Sequence, residues 1–321
     1  MGFGDDYRAF VAAHPGASLW HDPDFLTALA PPQTRGAYHG VVLRDASGTV
    51  TAAVPVYRKR RLDGLVATVP PLGRYADPLT AAPPGRGGEA QAVAVLREAW
   101  RGCVSVDHVL SPRATALLAP LRQACPGLRH RERTTYLASV ADGMEPAWRA
   151  VAKGKRRQLR RAEAYWTLGT SGLTAEVLEV LRTPFRRQGL AVPYSEDVLR
   201  AVARDLAPGE RFRVHTARHP DGVLGAAGVA VADGETVYAL VSGSTAAARG
   251  HDGGSLMLWR HLRFAAATGR SRVDFLGSDL EGPGRNRREL GGRAAAYAQV
   301  WWDQRAWTRG LRWWRGGWGS D

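Results

Sequence analysis

The stretch 235–278 combines a hydrophobic strand, a glycine-rich turn, an amphipathic helix and a second short strand, in that order. The helix is predicted over 253–268 and ends at Gly269, which fits a C-cap. Between the first strand and the helix lie small residues and one arginine: Arg249, Gly250, Gly253 and Gly254. This order of elements predicts a sheet with a helix packed against it.

The rest of the chain has the same alternation of strands and helices. Before residue 140, we predict helices over 5–14, 22–30, 89–100 and 113–124, and strands over 36–45, 49–61, 65–72, 103–110 and 128–140. After it, we predict helices over 147–165, 174–188 and 195–206, and strands over 210–219, 222–233, 235–244, 271–278 and 294–302. Both halves therefore predict α+β architecture with a mixed sheet, in two domains, 1–140 and 141–321.

Composition excludes several classes of protein. Of the 321 residues, 45% are hydrophobic and 23% are charged, which is typical of a globular protein and not of a disordered one. Two cysteines cannot form a dense disulfide framework, and no Cys/His spacing predicts a zinc site, so no metal is expected. The acidic N-terminus and the lack of an apolar run of roughly 18 residues predict a cytoplasmic protein.

The positive charge is concentrated in the second half. The chain has 44 Lys and Arg residues against 30 Asp and Glu, a net charge of +14. Seven basic residues and no acid lie between Arg149 and Ala162, and eight arginines with six tryptophans lie between Arg285 and Asp321. Two such patches indicate a polyanionic partner, namely nucleic acid, a phosphate-rich ligand or an anionic membrane. A solvated helix face in an arginine-rich chain is the plainer interpretation.

Common catalytic motifs are absent from the sequence. There is no GxSxG, no GxxxxGK[ST] and no HExxH, and the nine histidines are scattered without ligand spacing. The glycine turn at 249–254 is the best local candidate for a site, since small residues at a helix N-terminus let backbone N–H groups bind an anion or polarise a carbonyl. A glycine turn without a ligand explains the pattern equally well.

Three segments resemble known acyltransferases. They are KGKRRQLRRAEAYW (153–166), VDFLGSD (273–279) and EGPGRNRRELGGRAAAYAQV (281–300), with looser similarity at FLTAL (25–29) and over 52–78. In this order they resemble the Fem family of aminoacyl-tRNA-dependent peptide-bond-forming transferases and their BioF2-like relatives. The resemblance implies two GNAT-like acyltransferase domains in tandem. Arg249, Gly250 and Gly253–Gly254 give an RGxxGG spacing, which departs from the Q/R-x-x-G-x-G/A loop that cradles the pyrophosphate of CoA in GNAT enzymes.

The resemblance implies amide formation by aminolysis of an activated ester, without a metal or a bound cofactor. Such an enzyme mainly positions its substrates and stabilises an oxyanion. Asp279, and second to it Asp274, are candidates to orient or deprotonate the attacking amine, while Tyr238 and Ser242 are candidate oxyanion donors. The acceptor is expected to be an amine on a peptide, a peptidoglycan precursor or a small metabolite.

The arginine clusters then become candidate tRNA contacts. They are Lys153, Lys155, Arg156, Arg157, Arg160 and Arg161, with Arg249, Gly253 and Gly254 at the turn and Arg285, Arg287 and Arg288 further on. The Arg–Trp segment 301–318 fits stacking on unpaired bases, an anionic membrane surface or packing onto the domain. Two other functions stay open: an acyl-CoA-dependent N-acyltransferase, and a non-catalytic RNA- or membrane-binding protein on the same fold.

Overall fold

The computed structural model describes residues 2–31, 35–83, 85–207, 209–277 and 280–303. Its helices are α1 Asp5–Ala13, α2 Pro23–Leu29, α3 Gly88–Ala99, α4 Leu118–Ala124, α5 Met144–Ala150, α6 Lys153–Tyr165, α7 Ala175–Arg187, α8 Glu196–Asp205, α9 Ala246–Gly250, α10 Gly253–Ala267 and α11 Glu281–Glu289. Its strands are β1 Gly36–Arg44, β2 Val50–Arg61, β3 Gly64–Thr68, β4 Leu79–Thr80, β5 Cys103–Leu110, β6 Arg129–Ser139, β7 Thr167–Ser171, β8 Phe212–Arg218, β9 Leu224–Ala232, β10 Thr236–Ser244, β11 Arg272–Asp274 and β12 Arg293–Asp303. In the described ranges, no helix is both long and apolar enough to cross a membrane.

The first compact unit consists of the described residues up to Arg133 together with those from Ala296 to Asp303. Its strand order is β1-β2-β3-β5-β12, with β4 paired to β2. The β1/β2 and β2/β3 pairs are antiparallel, β3/β5 is parallel and β5/β12 is antiparallel. The helix α3 connects the two parallel strands, because parallel neighbours need a crossover. Its core includes Val95 and Leu96 of that helix, which are fully buried with Val106 of β5.

The second unit, Thr134–Ala295, repeats this plan. Its strand order is β6-β11-β10-β9-β8-β7. A three-stranded antiparallel meander ends in β10, the helix α10 crosses over, and β11 pairs parallel to β10 and antiparallel to β6. The inner face of α10 places Leu256, Met257 and Leu262 against small residues of β9 such as Ala226 and Ala230, which lets the helix approach the sheet closely.

The predicted α+β fold with a mixed sheet and one plan in both halves is confirmed. The unit boundaries, however, differ from a simple cut at residue 140. Each unit closes with an antiparallel strand, and β12, at the end of the described chain, closes the first unit by pairing with β5. The last described residues therefore belong with the first unit, because hydrogen bonding between strands and not sequence order decides which unit a strand joins.

The single helix predicted over 147–165 is wrong, because the chain breaks there. Val151 is extended at the end of α5, and the backbone N–H of Ala152 donates to the carbonyl of Glu289. α6 then begins at Lys153. The strand β7, which follows α6 directly, has no counterpart in the sequence prediction, since TLGTS is only five residues long, has a glycine at its centre and contains a single large apolar residue.

Candidate functional site

The parallel pair β10/β11 is the centre of the candidate site. Pairing covers only Thr236–Tyr238 and Arg272–Asp274, whereas β10 continues to Ser244. Ligands of open α/β sheets bind outside the carboxyl ends of such strands. The register of β10 against β9 also shifts between Ala239 and Val241, so Leu240 is an extra residue of the kind that often borders active sites.

A strained turn follows β11. Leu276 has a left-handed backbone with φ of 54°, which costs a non-glycine residue roughly 1–2 kcal/mol. Its N–H donates to Oδ1 of Asp274 at 2.8 Å, and the N–H of Gly277 donates to Oγ1 of Thr135 at 3.0 Å. The hydroxyl of Thr135 in turn donates to the Asp274 carboxylate. Asp274, which is 3% exposed, thus holds the shape of this end of the strand.

The glycine turn, residues 249–254, ends in the first two residues of α10. Asp252 precedes the helix with φ of 54° and makes no side-chain capping bond, so the first helical N–H groups lack the usual side-chain acceptor. Gly253 is buried, and a Cβ there would lie 3.1 Å from Ala226 and 3.2 Å from Ala248. Because residue 253 is glycine, α10 can begin close to β9.

Lys155 does not lie with the other basic residues of α6. Its side chain is 7% exposed, and its Nζ donates to Oγ of Ser255 at 3.3 Å, within the first turn of α10. The Glu289 carboxylate lies 3.5 Å from it and the Asp252 carboxylate 4.0 Å. Burial raises the pKa of Glu289, but the Arg285 hydrogen bond and the Lys155 charge outweigh it and hold that pKa below its usual value. Lys155 is therefore an internal ion-pair partner, and not an exposed phosphate contact.

Four other basic side chains of α6 do form an exposed face. Lys153, Arg157, Arg160 and Arg161 are exposed, and the Arg160 guanidinium lies 5.5 Å from the ring centre of Trp148. Arg156 is half-buried and donates to the carbonyl of Arg149 at 3.3 Å. At 1.5 Å per residue, the face extends over about 12 Å from the first of these cations to the last.

The second predicted cluster is more dispersed. On α11, Arg285 pairs with Glu289 at 2.9 Å, and Arg288 donates to the hydroxyl of Tyr136 at 3.0 Å. Arg287 is half-buried, while Arg249, at the end of α9, is exposed. Residues 304–321 of the Arg–Trp segment lie outside the described residues; Trp301 and Trp302, at its start, pair with Asp107 and Val106 in the sheet.

Tyr238 and Asp274 are register partners, so their side chains share one face of the sheet. The Tyr238 hydroxyl donates to Oδ2 of Asp233 at 2.9 Å, at the turn that begins β10. Burial, and then the charge of Asp233, raise the pKa of Tyr238 well above its usual value, so its hydroxyl stays protonated. The hydroxyl is directed to the amino end of β10 and away from the glycine turn.

Ser242 lies on the other face from Tyr238. It pairs with Gly228, whereas Tyr238 pairs with Val231, and residues three apart on a strand point to opposite faces. The extra residue Leu240 causes this change of face, which an unbroken alternation does not predict. Ser242 is exposed, beyond the end of β11. Asp279, the preferred carboxylate candidate, lies outside the described residues.

Sequence reasoning missed a cluster of aromatic and histidine rings beside the glycine turn. The His251 ring stacks on Tyr165 at 3.9 Å with an interplanar angle of 2°, and the Tyr165 hydroxyl lies 3.0 Å from Nδ1 of His219. The indole of Trp166 donates to the His251 carbonyl at 2.9 Å. These residues come from three separate elements, and only the adjacency of Tyr165 and Trp166 at the end of a basic helix was visible in the sequence.

The second unit has the fold of a GNAT domain. The family model for the acetyltransferase (GNAT) domain matches residues 147–282. The resemblance that the sequence suggests is thereby confirmed at the level of fold, and the fold is that of tandem GNAT proteins.

Solved structures with this fold cover most of the chain. The crystal structure of FemX is 12% identical with a TM-score of 0.69, over 91% of this chain and 94% of that one. L-PGS from Bacillus licheniformis is 11% identical with a TM-score of 0.54, over 97% and 95%. A tandem GNAT protein from the clavulanic acid biosynthesis pathway is 17% identical with a TM-score of 0.50, over 85% and 83%. No curated protein matches the sequence at a significant level.

Proposed function

We propose that this protein is an N-acyltransferase that forms an amide bond by passing an amino acid from aminoacyl-tRNA to an amine acceptor. The acceptor is a peptide, a peptidoglycan precursor or a small metabolite. The observation that carries the proposal is the exposed basic face of α6, made by Lys153, Arg157, Arg160 and Arg161, in the same unit as the β10/β11 site. Such a face suits a donor with a phosphate backbone. FemX and L-PGS share the fold, which agrees with the proposal.

The proposed chemistry needs few side chains. The neutral amine attacks the carbonyl carbon of the aminoacyl ester, a C–N bond forms, and the C–O bond to the ribose breaks once the tetrahedral oxyanion collapses. The proton lost by the amine passes to a carboxylate, for which Asp279 remains the proposed residue, and the carboxylic acid so formed gives this proton to the leaving ribose oxygen. Ser242 is the proposed donor to the oxyanion, because it is exposed beyond the end of β11.

Asp274 and Tyr238 are proposed to act as positioning residues. Asp274 accepts bonds from Thr135 and from the Leu276 N–H, and so fixes the turn after β11. The Tyr238 hydroxyl donates to Asp233 and so fixes the start of β10. The Asp274 bonds lie where the two strands separate, which is where the donor carbonyl is proposed to bind, and the Tyr238 bond holds the opposite end of β10.

An acyl-CoA-dependent N-acyltransferase is the second candidate. It is favoured by the N-terminus of α10, where Gly253 and Gly254 are the first two helical residues and Asp252 makes no side-chain capping bond. Purified protein supplied with charged tRNA or with acetyl-CoA, and with candidate amines, separates the two. Amide that forms only with charged tRNA supports the proposal, and equal product from acetyl-CoA without RNA overturns it. Contact of the segment 301–318 with an anionic membrane stays a prediction.

A further inference from the structure

We propose that Tyr165 and His251 form a stacking platform for a nucleobase. The inference rests on the proposed function to the extent that the acyl donor is carried on a nucleotide. The His251 ring lies flat on Tyr165, with centroids 3.9 Å apart and planes 2° from parallel. His251 is exposed, although one face of its ring is covered by Tyr165. An unpaired base is proposed to stack on its other face, as bases do on Tyr and His side chains.

Hydrogen bonds from neighbouring residues fix the positions of Tyr165 and His251. Tyr165 is fixed by the contact of its hydroxyl with Nδ1 of His219 at 3.0 Å, and the two rings are perpendicular. Trp166 is 4% exposed, and its indole N–H donates to the His251 carbonyl at 2.9 Å. The indole fits only because residue 225 is glycine: a Cβ there would lie 2.3 Å from the ring. A preorganised stacking surface loses little conformational entropy when a base binds.

Charge around the platform suits a nucleotide. Arg161 is four residues before Tyr165 on α6, hence on the same side of that helix, and Arg157 precedes it by another four. Both side chains are exposed. Arg249, two residues before His251, is exposed as well. A base on His251 would therefore have its phosphates next to arginines, which combines an electrostatic groove with an aromatic surface as in single-strand binding sites.

The base could come from either of two donors, the unpaired 3′ end of an RNA or the adenine of CoA, which share a base joined to phosphates. Position decides in favour of the RNA end, because α6 carries a row of exposed cations that leads to Tyr165, as a longer strand would require. His251 lies within the glycine turn, two residues before α10 begins, so a stacked terminal base would lie at the N-terminus of that helix.

The test uses the full chain with two probes, a fluorescein-labelled RNA hairpin with a single-stranded CCA 3′ end, read by anisotropy, and acetyl-CoA, read by calorimetry. H251A should weaken binding of the RNA probe by roughly five- to a hundredfold, the usual value of one stacked base, whereas H251F should stay within about threefold of the wild type. H130A, which removes an exposed histidine from the other unit, should bind as the wild type does. Thermal unfolding of each variant confirms that it is folded.

The two arms separate this inference from the proposed function. If H251A loses affinity for the RNA probe alone, both the platform and the RNA donor are supported. Loss confined to acetyl-CoA supports the platform and overturns the RNA donor. The platform itself is overturned if H251A binds both probes as the wild type does, if H251F is as weak as H251A, or if neither probe binds the wild-type protein.

Discussion

The ammonium group of Lys155 lies 3.3 Å from the hydroxyl of Ser255, and this contact joins α6 to the first turn of α10. The Ser255 hydroxyl donates onward to Oδ1 of Asn286 at 2.8 Å, so α11 belongs to the same network. A side chain that the sequence places among RNA-binding residues thus connects the three helices around the glycine turn. The position of that turn depends on a charge inside the protein.

We predict that K155M destabilises the protein by about 1–3 kcal/mol. Removal of one member of a buried ion pair costs more, about 3–5 kcal/mol, but the Glu289 and Asp252 side chains keep 31% and 28% of their exposure and are partly solvated. The midpoint of urea unfolding measures the loss. K153M, on the exposed side of the same helix, is the matched control and should stay within about 0.5 kcal/mol of wild type. Equal midpoints for the two variants would show that Lys155 does not hold this network.

Gly243 and Gly250 give a second pair of matched variants. A Cβ at Gly243 would lie 2.1 Å from the Val180 carbonyl oxygen, so α7 cannot approach β10 unless residue 243 is glycine. G243A should cost at least about 2 kcal/mol, since the obstacle is backbone. A Cβ at Gly250 meets nothing within 4 Å, and alanine there should be neutral or stabilising by up to about 1 kcal/mol. Chemical denaturation measures both; a G243A protein as stable as wild type would contradict the packing of α7 on this strand.

A buried pair of histidines predicts acid sensitivity of the second unit. His215 and His261 are 3% and 0% exposed, their rings are 5.2 Å apart, and burial lowers their pKa to about 2 and about 3. The charges facing them belong to Arg260 and Arg213, and these too disfavour protonation. The unfolded chain binds protons at these two sites near pH 6.5 and the folded one does not. The contribution of the two neutral histidines to the unfolding free energy is therefore fully present above that pH and is lost as pH falls below it.

Each histidine contributes a slope of about 1.4 kcal/mol per pH unit between pH 6 and pH 4. H215L and H261L should flatten the dependence of the unfolding free energy on pH, each by up to that amount, whereas H130A should leave it unchanged. Urea titrations at a series of pH values give the slopes. The prediction fails if the variants and the wild type have parallel curves below pH 6.

Charge reversal on α6 should weaken RNA binding and reduce its dependence on salt. With R157E and R161E combined, the magnitude of the slope of log K against log salt should fall by about 1.4 to 1.8, at roughly 0.7 to 0.9 per phosphate contact. Arg97 and Arg122 are exposed arginines of the first unit, and R97E with R122E changes the net charge equally. Binding measured from 50 to 300 mM salt with both double variants separates a local contact from an effect of total charge. Equal slopes would remove α6 from the RNA surface.

Most of the architecture followed from local patterns. Asp22 caps α2 as its position before Pro23 indicates, its side chain accepting from the N–H groups of Asp24 and Phe25. The turn at Gly48, with φ of 87°, joins β1 to β2 and lies between the strands predicted over 36–45 and 49–61. These features depend on neighbours in sequence. The break between α5 and α6 does not, because it depends on a hydrogen bond from Ala152 to Glu289, which is distant along the chain.

The candidate site was less predictable, because it too depends on contacts between residues that are distant along the chain. Lys155 is four residues before Leu159, which is fully buried, and seven before Ala162, so helical spacing already placed it on the inner face. Because Lys155 is positively charged, the sequence prediction grouped it with the candidate tRNA contacts instead of the inner face. The extra residue at Leu240 left no mark in the sequence, yet it moves Ser242 to the face opposite Tyr238. His251 and Tyr165 stack only because the glycine turn returns the chain to the end of α6.

The most direct test of the account is the rate of amide formation with each donor. With charged tRNA and an amine acceptor, the wild-type protein should form amide, and acetyl-CoA without RNA should give none. S242A and D279N should lower kcat by at least about tenfold, while RNA affinity and the unfolding midpoint stay unchanged. Product formed equally well from acetyl-CoA without RNA, or no product from charged tRNA although RNA binds, would contradict the central claim.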